Sequence, residues 1–280
     1  MNIFSNSIKY GVLIGSFAIM ACSSVPDREG TIKIIPSADK SHIDVAATVY
    51  DQPLIFMLDT GAEVNLINMN KGLKDIIAKG NTKTRYSFIG ENKVVSFEAK
   101  TKVDELEEQT LVFHYSPDYK SNLLSTRSYL SKKIIFNFKE NLIQLGSKKE
   151  PCTPSQRFRV LRKSLFLIRL SFSNQKIWFL WDTGADNSYI DLKWAKENFA
   201  LKKLPQSFSV HAGYNASKNV SSYVELNTTL EDNLISGTFP VIDLSGLENL
   251  SPDIKGVIGL KFILKKNWFF DLDSKKFCTF

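Results

Sequence analysis

Residues 177–190 read I-W-F-L-W-D-T-G-A-D-N-S-Y-I, and residues 54–67 read L-I-F-M-L-D-T-G-A-E-V-N-L-I. In both stretches an apolar run leads into an aspartate, Asp182 or Asp59, which a Thr-Gly-Ala turn follows. An apolar run bounded by glycine predicts a buried strand that ends in a tight turn. A carboxylate at the end of such a strand is unfavourable, because a charged group that leaves water loses its hydration or changes its pKa. Two copies of so unfavourable a feature indicate a function.

Two buried carboxylates that lie side by side can activate a water molecule. When they are about 3 Å apart they cannot both ionise, so they share one proton, and one acts as a base while the other acts as an acid. Asp59 and Asp182 are therefore the candidate catalytic residues. For either copy alone, a strand that ends in an ordinary Asx-type turn explains the motif equally well. The second copy, with its matching apolar flanks, favours the catalytic interpretation.

The residues that follow the aspartates suit a supporting role. The hydroxyls of Thr60 and Thr183 can tie the turns together, and Gly61 and Gly184 let backbone N–H groups approach the carboxylates. With these neighbours the chain resembles the aspartic proteases of the retropepsin-like kind, whose motif is D-T-G-A. The resemblance implies a mostly β chain with a duplicated retropepsin- or pepsin-like acid protease fold, made of two pseudo-symmetric half-barrels with a short helix in each. It also implies peptide hydrolysis without a cofactor, a metal or a covalent enzyme intermediate.

The duplication extends beyond the motif, since Asp182 follows Asp59 by 123 residues and the surrounding pattern follows the same period. In each half a glycine comes 31 residues after the aspartate within a strand-turn-strand pattern, Gly90 in the first half and Gly213 in the second. These glycines are flap candidates, because the resemblance implies a mobile hairpin in each half that folds over the substrate. An ordinary exposed hairpin is the alternative for each.

A hairpin is also predicted before each aspartate. The first runs over residues 43–51 and turns at Gln52-Pro53, and the second runs over residues 165–173 and turns at Asn174-Gln175.

A short helix is predicted between each motif and its flap. Residues 191–199 read as a helix with Asp191 as its cap, and residues 71–78 read as a weaker counterpart.

Each half closes on an apolar element that the resemblance places behind the active-site turn. The second half has Val257-Ile258-Gly259, which matches the family's apolar-apolar-glycine pattern. The first half has Leu123-Leu124-Ser125, in which Ser125 stands where glycine is expected. This departure puts the geometry of the first half in question.

Shifts in composition divide the chain into five predicted segments. They are a signal peptide (1–21), a tether (22–41), an N-terminal protease half (42–146), a linker (147–156) and a C-terminal protease half (157–280).

The first segment predicts the location of the protein. Its apolar run, residues 11–21, is too short to span a bilayer and is typical of a signal-peptide core. The run ends in Ile19-Met20-Ala21-Cys22, which resembles a bacterial lipoprotein box, so Cys22 is the expected lipidation site. The resemblance implies a lipid-anchored protein of the bacterial cell envelope that faces the periplasm or lies in the outer membrane. A plain secretory signal cleaved near Ala21 is the alternative.

Cys152 and Cys278 are the two remaining cysteines. In an oxidising periplasm they can pair as a disulfide. Two buried free thiols are an equally good interpretation of the sequence.

Other classes of function find little support. The 36 basic and 29 acidic residues give a net charge of +7, but the lysines are scattered, so nucleic-acid binding is not expected. His42, His114 and His211 lie far apart and no H-E-x-x-H occurs, so no metal site is expected. The chain also has neither a G-x-S-x-G elbow nor a G-x-x-x-x-G-K-[ST] phosphate loop.

The sequence therefore predicts an aspartic endopeptidase that acts on peptide or protein substrates. Because one chain carries both aspartates, a monomer with an internal pseudo-dimer suffices. The alternative from another class is a protease-like lipoprotein that binds peptides or envelope components without cleaving them, and Ser125 and the weakly defined flap of the first half favour this alternative slightly.

Overall fold

The structure is a computed structural model that describes residues 25–38, 41–68, 71–86, 91–117, 121–147, 149–172, 175–212, 216–230 and 233–280. The predicted signal peptide (1–21), the lipidation site Cys22 and the flap candidates Gly90 and Gly213 lie outside the described residues.

In its described residues, the N-terminal half, through residue 146, contains eleven strands and one α-helix. They are β1 (Gly30–Lys33), β2 (Ile35–Pro36), β3 (Ile43–Val49), β4 (Gln52–Asp59), β5 (Asn65–Ile67), α1 (Lys74–Ala78), β6 (Asn81–Tyr86), β7 (Glu91–Val103), β8 (Gln109–Tyr115), β9 (Leu123–Ser125), β10 (Lys133–Asn137) and β11 (Leu142–Leu145). Two 3₁₀ turns, Lys71–Leu73 and Thr126–Ser128, precede α1 and follow β9.

The C-terminal half repeats this order of strands. It contains β12 (Gln156–Arg157), β13 (Arg159–Leu161), β14 (Leu165–Phe172), β15 (Gln175–Trp181), β16 (Tyr189–Asp191), α2 (Leu192–Asn198), β17 (Lys202–Ala212), β18 (Ala216–Leu230), β19 (Asn233–Ile242), α3 (Ser245–Glu248), β20 (Ile254–Ile258), α4 (Leu260–Ile263), β21 (Trp268–Asp271) and β22 (Lys276–Thr279).

Each half forms a closed six-stranded barrel. In the N-terminal half the strands follow the order β3-β4-β9-β5-β8-β7, and a pairing of Ala47 with Val103 closes the ring. In the C-terminal half the order is β14-β15-β20-β16-β19-β18, and a pairing of Ser171 with Thr229 closes the ring. The two orders correspond strand by strand, so the predicted mostly β, duplicated architecture is confirmed.

A third sheet joins the two halves, with the order β1-β11-β10-β21-β22-β12. At its centre β10 and β21 run antiparallel with Ile135 opposite Phe269, so each half contributes three strands. The Trp181 ring of the C-terminal barrel packs on this sheet, 4.8 Å from the Phe136 ring and 5.1 Å from the Phe270 ring. Full burial of one large apolar side chain contributes about 1.5 to 3 kcal/mol, so this aromatic layer holds the halves in one arrangement.

The tether predicted for residues 22–41 is wrong from residue 30 onward. Strand β1 pairs with β11, and Ile32 is completely buried. Strand β2 pairs with β3 at Ile35 and Asp44. Gly30 has φ +144°, and an added Cβ would lie 2.6 Å from Leu106. Glycine is therefore needed here because the backbone packs closely against Leu106, and not because the segment is a flexible tether.

The first hairpin turns two residues earlier than predicted. Tyr50 and Asp51, with φ of 45° and 63°, form the turn, and Gln52-Pro53 begins β4. A two-residue turn with positive φ at both positions suits the twist of a hairpin, although tyrosine is an unusual residue there. The Tyr50 hydroxyl donates to the Glu98 carbonyl at 2.9 Å, and this bond to β7 fixes the turn. In the second hairpin Gln175 is the first residue of β15 rather than a turn residue.

The predicted helices are present. Asp191 caps α2, since its Oδ1 accepts a hydrogen bond from the Trp194 N–H at 2.9 Å. The weaker counterpart, residues 71–78, forms the first 3₁₀ turn followed by α1.

The two cysteines left open by the sequence form a disulfide. Cys152 of the linker joins Cys278 of β22, with a Cα–Cα distance of 6.3 Å. The bond attaches the linker to the sheet between the halves.

Candidate active site

Parallel strand pairs deliver the two aspartates to the boundary between the barrels. Asp59 ends β4 and lies opposite Ser125 of β9, while Asp182 directly follows β15 and its N–H donates to the Ile258 carbonyl of β20 at 2.9 Å. Each aspartate is thus held by the strand that it ends or follows, β4 or β15, and by the parallel apolar strand beside it, β9 or β20.

Thr60 and Thr183 connect the two D-T-G-A turns to each other. The Thr60 N–H donates to Thr183 Oγ1 at 3.2 Å, and the Thr183 N–H donates to Thr60 Oγ1 at 3.0 Å. Each hydroxyl then donates across the boundary, Thr60 to the Trp181 carbonyl at 2.9 Å and Thr183 to the Leu58 carbonyl at 2.8 Å. Both threonines are completely buried, so these four bonds set the spacing of the turns without competition from water.

Gly61 and Gly184 are required because each one lies against the carboxyl group of the opposite half. A Cβ added to Gly61 would lie 2.4 Å from Cγ of Asp182, and one added to Gly184 would lie 2.4 Å from Cγ of Asp59. Each glycine N–H also donates to its own aspartate at 2.8 Å, Gly61 to Asp59 Oδ1 and Gly184 to Asp182 Oδ1. The two carboxyl groups therefore meet in a reciprocal arrangement, in which each touches the turn of the other.

The environment disfavours two negative charges at this point. Burial raises the pKa of Asp59 well above its usual range, and the charge of Asp182 and a hydrogen bond with it raise it further. Burial also raises the pKa of Asp182, against the opposing effects of the bond with Asp59 and of the Gly184 N–H. Both aspartates keep part of their surface accessible. The arrangement can hold one proton between two carboxyl groups in a place that water can reach.

Ser125 does not distort the first half. Ser125 has φ −80° and ψ 156°, and Gly259 at the same position of the second half has φ −94° and ψ 176°, so both are extended. Only the second half needs glycine, since a Cβ on Gly259 would lie 2.1 Å from the Asn187 carbonyl oxygen.

A buried amide that the sequence reasoning missed supports Ser125. Asn65 Oδ1 accepts from the Ser125 N–H at 2.9 Å, from the Ser125 hydroxyl at 3.1 Å and from the Ser128 hydroxyl at 2.7 Å. In the second half the Ser188 hydroxyl accepts from the Gly259 N–H at 3.0 Å. Asn65 and Ser188 are also 123 residues apart. A comparison of polar residues that lie 123 positions apart in the sequence would have identified Asn65 and Ser188 as counterparts.

The residues directly after the motifs make the site asymmetric. Glu63 accepts from Arg162 of the other half at 2.9 and 3.2 Å, and Arg127 donates to the Arg162 carbonyl at 2.8 Å. Asp186, the counterpart of Glu63, instead accepts from the Tyr189 hydroxyl of its own half at 2.9 Å. Half-exposed ion pairs stabilise a protein by about 0 to 1 kcal/mol. The Glu63–Arg162 pair therefore matters more for the position of the two halves than for the stability of the fold.

Within the described residues, no group of three or more His, Cys, Asp and Glu side chains is arranged to hold a metal ion. In the same part of the chain, no helix is long and apolar enough to cross a membrane. No protein-family model matches the chain, and the curated proteins include no match to it.

Proposed function

We propose that this chain is an aspartic endopeptidase with a retropepsin- or pepsin-like fold, in which Asp59 and Asp182 activate a water molecule. The observation that carries the proposal is the reciprocal contact of each carboxyl group with the glycine of the opposite turn, under the four cross-boundary bonds of Thr60 and Thr183. A buried pair of acids lowers stability, and acids with perturbed pKa values cluster at functional sites, so the pair favours a use of its proton chemistry.

The chemistry follows from the shared proton. A water molecule between the carboxyl groups attacks the peptide carbonyl and gives a proton to the ionised carboxylate. The protonated partner stabilises the developing oxyanion by hydrogen bonding, and a proton is then transferred to the leaving nitrogen as the carbon–nitrogen bond breaks. Asp59 and Asp182 supply both roles, so no further acid or base is needed in the step.

Two long hairpins favour a binding mode in which the substrate lies across the boundary between the barrels. Strands β6 and β7 pair up to Tyr86 and Glu91, and β17 and β18 pair up to Ala212 and Ala216. Both hairpins occupy the same place in the strand order of their barrels. In the sequence each flap candidate lies between the two paired strands of its hairpin, and we propose that a peptide binds beneath the hairpins.

The proposed location is the bacterial cell envelope, with a lipid anchor at Cys22. The disulfide between Cys152 and Cys278 supports an oxidising compartment, because structural disulfides are rare in the cytosol of most organisms. The lipoprotein-like sequence before residue 23 predicts a periplasmic or outer-membrane location. The disulfide agrees with that location.

The proposal is tested by incubating the mature protein with a diverse peptide library from pH 3 to 8 and identifying new termini by mass spectrometry. We expect internal cleavage that a chelator does not affect and that a peptide with a tetrahedral hydroxymethylene group in place of the scissile carbonyl inhibits. Ser125 has nearly the backbone conformation of Gly259, which supports a competent first half and so favours the protease over a non-cleaving binder. Tight binding of peptides without cleavage at any pH would nevertheless assign the protein to that class.

A further inference from the structure

The strand that carries Asp59 has an apolar residue on its cleft side. In β4, Phe56 and Leu58 are completely buried in the main core, whereas Met57 and Asp59 are only partly buried. Because successive side chains of a strand point to opposite faces, Met57 lies on the face that carries the Asp59 carboxyl group, about 7 Å away along the strand. Met57 is therefore a neighbour of the aspartate pair on the N-terminal side of the boundary.

Met57 belongs to a small group of apolar side chains on that face. It pairs with Leu123 of β9, and Leu123 pairs with Leu66 of β5. Directly paired residues of neighbouring strands share one face of the sheet. The group, which we call the N-terminal apolar cluster, contains the buried Leu66, Val94 and Leu123 and the partly buried Met57, Ala62 and Val64. Because Ala62 is the last residue of the D-T-G-A turn, the cluster extends to the turn itself.

The second half has polar side chains at two of the equivalent positions. With the period of 123 residues, Val64 corresponds to Asn187 and Leu66 corresponds to Tyr189. The Tyr189 hydroxyl donates to Asp186 Oδ1 at 2.9 Å, and Asn187 Nδ2 donates to Asp186 Oδ2 at 2.6 Å. These bonds hold polar groups where the first half has aliphatic side chains.

Charged groups surround Asn187 but not its counterpart Val64. Asn187 Oδ1 accepts from Lys261 Nζ at 3.0 Å, and the side chains of Lys261 and Asp186 are 63% and 43% exposed. An apolar side chain placed on these groups would displace their water, which is unfavourable. In the first half the acid that follows the motif, Glu63, instead bonds to Arg162 across the boundary.

The apolar space beside Asp182 is also filled by the protein itself. Leu180, which corresponds to Met57, is only 3% exposed. It belongs to a larger buried cluster that includes Leu165 and Leu167 of the neighbouring strand β14. Met57 thus presents apolar surface to a ligand, whereas Leu180 presents almost none.

We propose that Met57 and Val64 determine specificity by binding a large apolar side chain of the substrate on one side of the scissile bond. On the other side Asn187, with its charged neighbours, disfavours such a side chain and admits a polar one. A peptide across the boundary contacts one half on each side of the bond, so the difference between the halves becomes a difference between the two sides of the substrate. The cleavage pattern rests on the proposed function, whereas the binding preference does not.

The test uses defined peptides in which leucine or serine occupies the positions within two residues of the scissile bond, on either side. The enzymes are wild type, Met57→Ser, Val64→Asn and Asn187→Val. Val112→Asn is the matched control, because Val112 is an exposed apolar residue of β8, three strands away from β4 in the barrel. The quantity measured is the ratio of kcat/KM for leucine to kcat/KM for serine on each side. A merely destabilised variant cleaves all peptides less and leaves this ratio unchanged.

We expect the wild type to prefer leucine on one side of the bond only. Met57→Ser and Val64→Asn should each lower that ratio about tenfold, because loss of a small apolar contact in a binding pocket changes kcat/KM by about 10-fold or more. Neither variant should alter the ratio on the other side. Asn187→Val should raise the ratio on that other side, and Val112→Asn should keep the wild-type pattern.

Binding is measured without cleavage on two peptides that carry a hydroxymethylene group in place of the scissile carbonyl, with leucine before and serine after it, or the reverse. Calorimetry should show about tenfold tighter binding of one order, and Val64→Asn should remove the difference. Equal preferences on both sides, or preferences that Met57→Ser and Val64→Asn leave unchanged, would overturn the inference. If the wild type binds one order more tightly but cleaves nothing, the proposed function fails and the inference stands. If it binds both orders equally or neither, the inference fails.

Discussion

Asp59 and Asp182 destabilise the fold that positions them. Burial raises the pKa of both, and each lies against the other turn with room for no side chain beyond glycine. The two D-T-G-A copies in the sequence predicted this pair, because burial of one acid is unfavourable and burial of two is more unfavourable still. It did not reveal Asn65, whose role depends on contacts with Ser125 and Ser128 some 60 residues away.

The raised pKa values predict how stability depends on pH. Below the ordinary pKa of an aspartate, about 3.9, both the folded and the unfolded chain are protonated, and the stability is fully present. As the pH rises from there through the raised pKa of the pair, the unfolded chain loses protons more readily than the folded one, and stability is lost. Asp59→Asn should therefore make the protein more stable at pH 7 and flatten this decline.

Urea unfolding at several pH values between 3 and 8 measures the effect. Asp75→Asn, which alters an exposed aspartate of α1, is the control and should leave the curve unchanged. A less stable Asp59→Asn variant at neutral pH would show that the carboxylate stabilises the fold, contrary to this account.

The strands and turns show where local sequence is informative. The hairpins, the capped helix α2 and the closing apolar elements follow patterns within about ten residues, and the sequence predicted them with small errors in their bounds. Strand β1 was missed because its partner is distant, with Gly30 opposite Leu145. Its glycine and the nearby prolines also resemble those of a linker. The turn at Tyr50 was misplaced because a bond to β7, rather than its own residue type, fixes it.

The linker disulfide gives a prediction about the sheet between the halves. Cys152 and Cys278 are 126 residues apart, and a bond that closes so long a loop stabilises a protein by about 2 to 5 kcal/mol. Cys152→Ala should lower the free energy of unfolding by this amount. The double variant with Cys278→Ala should be little worse.

Reductant provides the control, since it should weaken the wild type to the level of Cys152→Ala and have no effect on that variant. Wild-type stability that does not respond to reductant under unfolding conditions would mean that the two thiols are not joined.

The two halves together make the site, and neither half makes it alone. Each barrel supplies one aspartate, one threonine and one glycine, and the sheet with β10 and β21 at its centre holds the barrels in register. Because both copies lie in one chain, they have diverged. Ser125 is supported by Asn65 and Gly259 by Ser188, and Glu63 reaches across the boundary whereas Asp186 bonds within its own half. A site that two identical chains assemble could not differ between its halves in this way.

Peptide cleavage by Asp59→Asn, Asp182→Asn, the double variant and an equimolar mixture of the two single variants tests the central claim most directly. The account predicts a bell-shaped pH profile for the wild type and a loss of about 10³-fold or more in each single variant. It also predicts that the double variant is little worse than either single one, and that the mixture stays inactive because both acids must lie in one chain. Substantial cleavage by either folded single variant, at any pH, would contradict the shared aspartate pair.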